Sequence, residues 1–147
     1  MRTVVLDTSV LVQLFLGEPG FEAARALMEA YAAGRLPLAA PESGLLEFAN
    51  VLAEHEQRGR LKPEEVDLML EDLLGLGIRW IPASGLLAQG ALFARRTGRG
   101  VRDGAFLALA ERLDATFVTA DASLVEACRG KLAFVTPLED AVEALGL

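Results

Sequence analysis

The chain has 147 residues, of which 52% are hydrophobic and 24% charged, and its formal net charge is −7. This length and composition predict a single folded domain, residues 1–147, with a sizeable buried core. The negative charge argues against a protein that coats nucleic acid through bulk electrostatics, but it leaves open an enzyme that binds phosphate locally through metal ions.

Short apolar runs alternate with helical patterns along the chain. The predicted strands are Thr3–Leu6, Leu36–Ala40, Ile78–Ile81, Thr116–Thr119 and Ala133–Val135. The predicted helices are Val10–Leu16, Phe21–Ala33, Ser43–Gln57, Pro63–Leu74, Leu86–Arg96, Gly104–Leu113 and Ala122–Arg129, followed by a closing turn or helix over Leu138–Leu145. This alternation predicts an α/β fold of three layers, in which helices flank a mostly parallel sheet.

The sequence also carries information about the compartment. The longest apolar runs fall short of the ~18–20 residues that a membrane helix needs. Asp7 and Glu18 interrupt the region where a secretory signal would lie. The one cysteine, Cys128, cannot form an internal disulfide. We therefore expect a cytoplasmic protein with no membrane segment.

Two aspartates follow predicted strands. Asp7 comes directly after the first strand, and Asp121 follows the fourth at a similar strand-to-helix junction. Ligands bind to such sheets beyond the carboxyl ends of the strands, where the strand order reverses. If strands one and four are neighbours at that point, both carboxylates face one crevice. Each could instead be a simple helix N-cap, because aspartate is favoured there.

Two more carboxylates lie on predicted helices. Glu47 lies opposite the apolar stripe of its helix, which taken alone indicates a solvated face. Asp103 shares a stripe with Phe106 and Leu107, which directs it toward the body of the protein, although an interaction with the helix dipole is an alternative. Carboxylates clustered around one crevice repel one another unless a cation neutralises them. Oxygen ligands favour Mg²⁺ or Mn²⁺, whereas one histidine and one cysteine cannot form an ordinary zinc site.

At these residues the sequence resembles the PIN domain family, and within it the VapC-like toxin ribonucleases. The matching segments are V-L-D-T-S-V-L-V, E-S-G-L-L-E-F-A-N-V-L, V-R-D-G-A-F-L-A-L-A-E and T-F-V-T-A-D-A-S-L. In order, they span about Val4 to Leu124. The resemblance implies a parallel five-stranded sheet of order 3-2-1-4-5 and a metal-dependent ribonuclease that uses Mg²⁺ or Mn²⁺.

The resemblance also assigns roles to residues. The implied acidic quartet is Asp7, Glu47, Asp103 and Asp121. The three aspartates would be the main metal ligands, and the glutamate would bind metal through water or position the nucleophile. Ser9 and Thr119 would be hydroxyl groups that orient carboxylates. The sequence departs from the family beside the third acid, where Arg102 and Gly104 replace the common Y-D-A-x-Y pattern.

Four arginines stand just before the third acid: Arg95, Arg96, Arg99 and Arg102. We interpret them as a patch that contacts RNA phosphates beside the crevice. The alternative is that they lie at the C-terminal end of a helix, where cations are favoured without any function.

Partners follow from the resemblance alone: a small antitoxin protein and a homodimer. The amphipathic segments Phe21–Ala33 and Glu64–Leu74 offer apolar surface for such contacts, although core packing explains the same pattern. The alternative function is a non-catalytic PIN-like domain that binds RNA or protein. A haloacid-dehalogenase-type phosphatase fits poorly, because Ser9 stands where a second aspartate is needed. A receiver domain also fits poorly, because no aspartate directly follows Ile81.

Overall fold

The structure, a computed structural model, describes residues 2–147. Its strands are β1 (Val4–Leu6), β2 (Leu38–Pro41), β3 (Arg79–Ile81), β4 (Thr116–Thr119) and β5 (Val135–Pro137). They form one sheet of order β3-β2-β1-β4-β5, and every neighbouring pair is parallel. The predicted α/β class and the strand order implied by the resemblance are therefore confirmed.

Eight α-helices flank the sheet in the described chain: α1 (Thr8–Leu16), α2 (Phe21–Ala32), α3 (Ser43–Gln57), α4 (Pro63–Gly75), α5 (Leu87–Thr97), α6 (Val101–Arg112), α7 (Ala122–Cys128) and α8 (Leu138–Ala144). A short 3-10 helix, Ala83–Leu86, precedes α5. Within residues 2–147, no helix combines the length and the apolar character needed to span a bilayer.

The side chains of β1 alternate between two cores, as expected for a strand buried on both faces. Val4 and Leu6 face a core built mainly from α1 to α4 and α8. Val5 faces the other core, built mainly from α5 to α7. In that second core the rings of Phe106 and Phe117 lie 6.0 Å apart between centroids. The sheet is thus the middle of three layers.

Helices α5 and α6 approach each other through glycine. A Cβ atom on Gly104 would overlap the carbonyl oxygen of Gly90, and one on Gly90 would lie 3.1 Å from the backbone nitrogen of Ala105. Gly104 is one of the departures from the family pattern, and this contact gives it a structural reason. The close approach fixes the short connection between the two helices beside the carboxyl end of the sheet.

Some element boundaries differ from the predictions. Strand β5 begins at Val135 rather than Ala133, because the preceding residues form a turn in which Phe134 packs edge-on against Phe93, 6.3 Å between ring centroids. Helix α6 begins at Val101 rather than Gly104, which places Asp103 inside its first turn. The closing segment, predicted as a turn or helix, is helix α8.

Candidate active site

The site lies at the carboxyl end of the sheet, beside its central strand. Strand β1 pairs with β2 on one side and β4 on the other, so the strand order reverses here. Asp7 directly follows β1, and Thr119 is the last residue of β4. This is the position at which parallel α/β sheets present ligand-binding residues.

Asp7 is buried, with 7% of its surface exposed, and two hydroxyl groups hold its carboxylate. Oδ2 accepts a hydrogen bond of 2.6 Å from Thr119 Oγ1 and one of 2.7 Å from Ser9 Oγ. Asp7 occupies the N-cap position of α1, but its side chain makes no capping hydrogen bond. The carboxylate is therefore held for something other than capping.

The same hydroxyl groups tie Asp7 to the turn that carries the next acid. Ser9 Oγ accepts a hydrogen bond from the backbone N–H of Ala120, 2.9 Å, and Thr119 Oγ1 accepts one from the N–H of Asp121, 3.0 Å. Each oxygen receives an amide proton and donates its own proton to Asp7. The network fixes the spacing between the β1 and β4 ends of the site.

The pKa of Asp7 is raised above its ordinary value of 3.8. Burial is the main cause, because it disfavours the charged form. The hydrogen bonds from Thr119 and Ser9 act in the opposite direction, and the nearby charge of Asp103 adds to the increase. A buried carboxylate of this kind is most stable as an anion when a cation is close.

Glu47, on α3, reaches the site from the other side of the sheet end. Its Oε2 accepts a hydrogen bond of 2.9 Å from Thr8 Oγ1. Its Oε1 is buried and lacks a hydrogen bond of acceptable geometry, although Arg102 Nε lies 3.0 Å away. Burial raises the pKa of Glu47; the hydrogen bond and the Arg102 charge oppose that increase, while Asp7 and Asp103 add to it. Its helix face is therefore not simply solvated.

Asp121 caps helix α7 with one oxygen and leaves the other for a cation. Oδ1 accepts hydrogen bonds from Ser123 N, Ser123 Oγ and Leu124 N at 3.0, 2.7 and 3.2 Å. Oδ2 accepts one of 2.8 Å from Arg99 Nη2. Partial burial alone would raise the pKa of Asp121, but these hydrogen bonds and the Arg99 charge outweigh it and lower the pKa below 3.8.

Arg99 links the two outer acids. It lies in the three-residue connection between α5 and α6, just after Gly98, whose φ of 74° lets the chain leave the helix. Its Nε donates to Asp103 Oδ2 at 2.9 Å, while Nη2 donates to Asp121 Oδ2. Nη1 donates to Ser123 Oγ at 2.9 Å. One guanidinium thus joins α6 to the β4–α7 turn.

The structure brings the four predicted acids to one end of the sheet, but in two differently supported pairs. Asp7 and Glu47 form an inner pair held by hydroxyl groups, and Asp103 and Asp121 form an outer pair joined by Arg99. No three carboxylate, histidine or cysteine side chains within residues 2–147 already stand in a metal-binding arrangement. The guanidinium of Arg99 lies between the outer carboxylates, where a shared ligand would bind.

The predicted arginine patch divides into two. Arg99 and Arg102 turn toward the acids, and Arg102 remains 70% exposed in its side chain. Arg95 and Arg96 are exposed on α5, and Arg96 donates to the carbonyl oxygen of Lys131 at 2.9 Å. Arg99 and Arg102 thus contact acids of the site, whereas Arg95 and Arg96 form no ion pair with them.

Two residues of the site were missed by sequence reasoning. Thr8 holds Glu47, and Ser123 holds both Asp121 and Arg99. A signal existed for each: Thr8 is part of the D-T-S run after β1, and Ser123 stands two residues after an N-cap aspartate, where hydroxyl side chains commonly bond locally. The long-range partners of both residues are not readable from that spacing.

Comparison with known proteins agrees with this architecture. A family model described as the PIN domain matches residues 4–130. The chain belongs to the PIN domain family. This PIN domain is 33% identical over 126 residues to ribonuclease VapC3 of Pyrobaculum aerophilum, covering 84% of this chain and 92% of the relative. The resemblance to the VapC-like group is therefore confirmed.

Two solved structures share the fold of this PIN domain. A crystal structure of a Pyrobaculum aerophilum protein matches with a TM-score of 0.69 and 19% identity, covering 99% of this chain and 97% of that one. A toxin-antitoxin complex from Klebsiella pneumoniae matches with a TM-score of 0.64 and 17% identity, covering 92% and 98%. At these identities the structural likeness concerns the fold alone.

Proposed function

We propose that this PIN domain is a metal-dependent endoribonuclease that hydrolyses phosphodiester bonds in RNA. The observation that carries the proposal is the convergence of four acids at the switch point, with the carboxylate of Asp7 buried and held in place. The relation to ribonuclease VapC3 supports RNA as the substrate. We further propose that the protein acts in the cytoplasm as the toxin of a toxin-antitoxin pair.

The donor set fits a divalent ion such as Mg²⁺ or Mn²⁺. All four acids offer oxygen, the ligand type that these ions prefer. Glu47 Oε1 is buried and makes no hydrogen bond of acceptable geometry, and a guanidinium already stands between Asp103 and Asp121 as a stand-in cation. Asp7, Asp103 and Asp121 would hold the ion, and Glu47 would bind it through water or directly.

In the reaction, the bound ion would supply positive charge that activates water and neutralises the scissile phosphate. The chain's own residues do the remaining work. Ser9 and Thr119 keep the Asp7 carboxylate in one orientation. Glu47, with its raised pKa, is suited to position the attacking water and to accept a proton from it. Arg95, Arg96, Arg99 and Arg102 are the proposed contacts to RNA phosphates.

The test is an RNA cleavage assay on the purified protein with Mn²⁺, with and without EDTA. We expect Asp7→Asn and Asp121→Asn each to reduce cleavage by more than about a hundredfold, beyond the effect usual for residues that only orient ligands. Asp67→Asn, an exposed site on α4, is the matched control and should cut like the wild type. If both site variants cut normally, a contaminating nuclease explains the activity. If the wild type binds RNA without cutting it, the non-catalytic alternative stands.

The partner proposals have their own support and tests. The fold likeness to a toxin-antitoxin complex supports a small protein antitoxin, which co-purification of the product of an adjacent short reading frame would test. The exposed Leu68 and Leu74 on α4 offer apolar surface for a homodimer or for that antitoxin. Sedimentation equilibrium of the isolated chain measures its mass in solution, so it shows whether the chain forms a homodimer without an antitoxin.

A further inference from the structure

Arg99 donates hydrogen bonds to the carboxylate oxygens that a metal ion would need as ligands. Its guanidinium donates to Oδ2 of Asp103 at 2.9 Å and to Oδ2 of Asp121 at 2.8 Å, and its side chain is only 27% exposed. Mg²⁺ binds oxygen at about 2.0–2.1 Å and keeps a tight octahedral shell. A guanidinium and a divalent ion cannot occupy the space between the same two oxygens, and their charges repel each other.

The contacts of Arg99 are more than a surface ion pair. Its planar fork bonds to two carboxylates and to Ser123 Oγ at once, which a lysine could not reproduce. The close α5–α6 approach at Gly90 and Gly104 holds the backbone on either side of it. The arginine is therefore placed between the outer acids by the fold.

We infer that Arg99 is an internal counter-ion that competes with the metal for Asp103 and Asp121, so that it sets the metal affinity of the site. This inference rests on the proposed metal-dependent function. In the metal-free protein the guanidinium neutralises the outer acids, and metal binding requires it to release both oxygens. Once released, it remains beside the site as a cation for the phosphate that enters with the RNA.

Arg102 provides an internal comparison. It lies 3.0 Å from Glu47 Oε1, but its side chain is 70% exposed and it contacts a single acid. An exposed single ion pair is worth little, because water and salt screen it. Arg102 should therefore compete with a metal much less than Arg99 does.

The experiment is a titration of the whole protein with Mn²⁺ alone, without RNA, in which electron paramagnetic resonance counts the free ion. We expect Arg99→Gln to bind Mn²⁺ about tenfold more tightly than the wild type, since two ion-pair contacts no longer oppose binding. Arg35→Gln removes the same charge from the exposed segment before β2 and should change the affinity by less than about twofold. The Mn²⁺ affinity of Arg102→Gln should lie between those of Arg99→Gln and the control variant.

A second variant protects the test against misfolding. Arg99→Lys keeps the charge but loses the two-acid fork, so it should bind Mn²⁺ with an affinity between those of the wild type and Arg99→Gln. Circular dichroism in EDTA checks that each variant is folded. In the same buffer, Mn²⁺ should raise the melting temperature of Arg99→Gln more than that of the wild type.

The outcomes separate this inference from the proposed function. Equal or weaker Mn²⁺ binding by Arg99→Gln, relative to Arg35→Gln, overturns the inference while leaving the ribonuclease proposal to the cleavage assay. Binding by Arg99→Gln but not by the wild type supports the inference in its strongest form. If neither binds Mn²⁺, both the inference and the metal dependence fail. If Asp7→Asn and Asp121→Asn both cut RNA normally, the proposed function fails whatever the titration shows.

Discussion

The two acid pairs of the site differ in how the protein stabilises their negative charge. The inner pair, Asp7 and Glu47, is held by hydroxyl groups in a buried place, and burial raises the pKa of both carboxyls. In the outer pair, Asp121 has a lowered pKa because it caps α7 and contacts Arg99. In the absence of a cation, the hydrogen bonds to the inner pair and the Arg102 charge offset only part of the cost of burying these carboxylates. For Asp121 in the outer pair, the hydrogen bonds and the Arg99 charge outweigh that cost.

Because of this difference, the two pairs should affect the stability of the fold differently, although both belong to one site. Groups that are destabilising in the free protein are often the ones that activity needs, so removing them can stabilise the fold. The inner pair fits that description, and the outer pair also contributes to holding α6 and α7 together. Variants that act on only one pair should therefore have distinct effects.

Among variants that keep all four acids, the largest expected effect is loss of activity when the inner pair loses its hydroxyl support. In Thr119→Val, Asp7 loses a 2.6 Å hydrogen bond and the N–H of Asp121 loses its acceptor. We expect RNA cleavage to fall by about tenfold to a hundredfold. The acid limb of the pH–rate profile should also move to higher pH, because a bond that lowers the pKa of Asp7 is gone.

Two matched variants control this prediction. Thr116→Val changes a buried threonine at the opposite end of the same strand and should leave the pH profile unchanged. Thr119→Ser keeps the hydroxyl group and should restore most of the activity. A Thr119→Val protein with lower activity but an unmoved acid limb would mean that the residue acts through packing alone.

The next effect tests the packing that supports the outer pair. Gly104→Ala places a Cβ atom against the carbonyl oxygen of Gly90, so α5 and α6 must separate. We expect the free energy of unfolding to fall by about 2 kcal/mol, as for other overpacked sites. Denaturant titration measures the change.

A glycine with free space around it provides the control. Gly75, at the end of α4, has no atom near the position of an added Cβ, so Gly75→Ala should leave stability unchanged or raise it by up to about 1 kcal/mol. Equal stability of Gly104→Ala and the wild type would show that the two helices can separate without cost. The outer pair would then not depend on this contact.

Gly104 also shows what sequence reasoning could and could not predict. The alternation of elements predicted the α/β class, and the resemblance carried by four motif segments implied the strand order, the four acids and the two supporting hydroxyl groups. The reason for Gly104 lies in Gly90, fourteen residues earlier, and no local pattern reveals a contact between two backbones. A residue that departs from a motif can thus be explained by packing rather than by chemistry.

The arginines were difficult to predict for a related reason. A run of basic residues before an acid is compatible with RNA contacts, with a helix end or with ion pairs, and the choice depends on side-chain direction. The direction depends on where α6 begins. The helix starts at Val101, three residues before the predicted start, and this brings Arg99 and Asp103 together beside the β4–α7 turn. An error of a few residues in a helix boundary hardly changes the predicted fold, but it changes which side chains meet in a site.

The smallest expected effects are changes in stability that have opposite signs for the two pairs. In EDTA at neutral pH, Asp7→Asn should raise the free energy of unfolding by about 1 kcal/mol, because it removes a buried charge. Asp121→Asn should lower it by about 1 kcal/mol, because it removes a partly exposed ion pair while keeping a good N-cap residue. Thermal unfolding of the two variants and the wild type measures both.

The pH dependence of these differences tests their cause. The folded-state pKa of Asp7 is raised, so the stability linked to its protonation is full below pH 3.8 and is lost as the pH rises through the folded pKa. Asp7→Asn lacks this loss, so its free energy of unfolding should increase relative to that of the wild type as the pH rises.

The folded-state pKa of Asp121 is lowered, so its contribution to stability is present above pH 3.8 and is lost as the pH falls through the folded pKa. The deficit of Asp121→Asn should therefore shrink in acid. Because Asp7 contributes to the raised pKa of Glu47, the pKa of Glu47 should fall in Asp7→Asn, which changes stability in the same direction as removing Asp7 itself. Differences of the same sign for the two variants across the pH range would contradict the division of the site into two pairs.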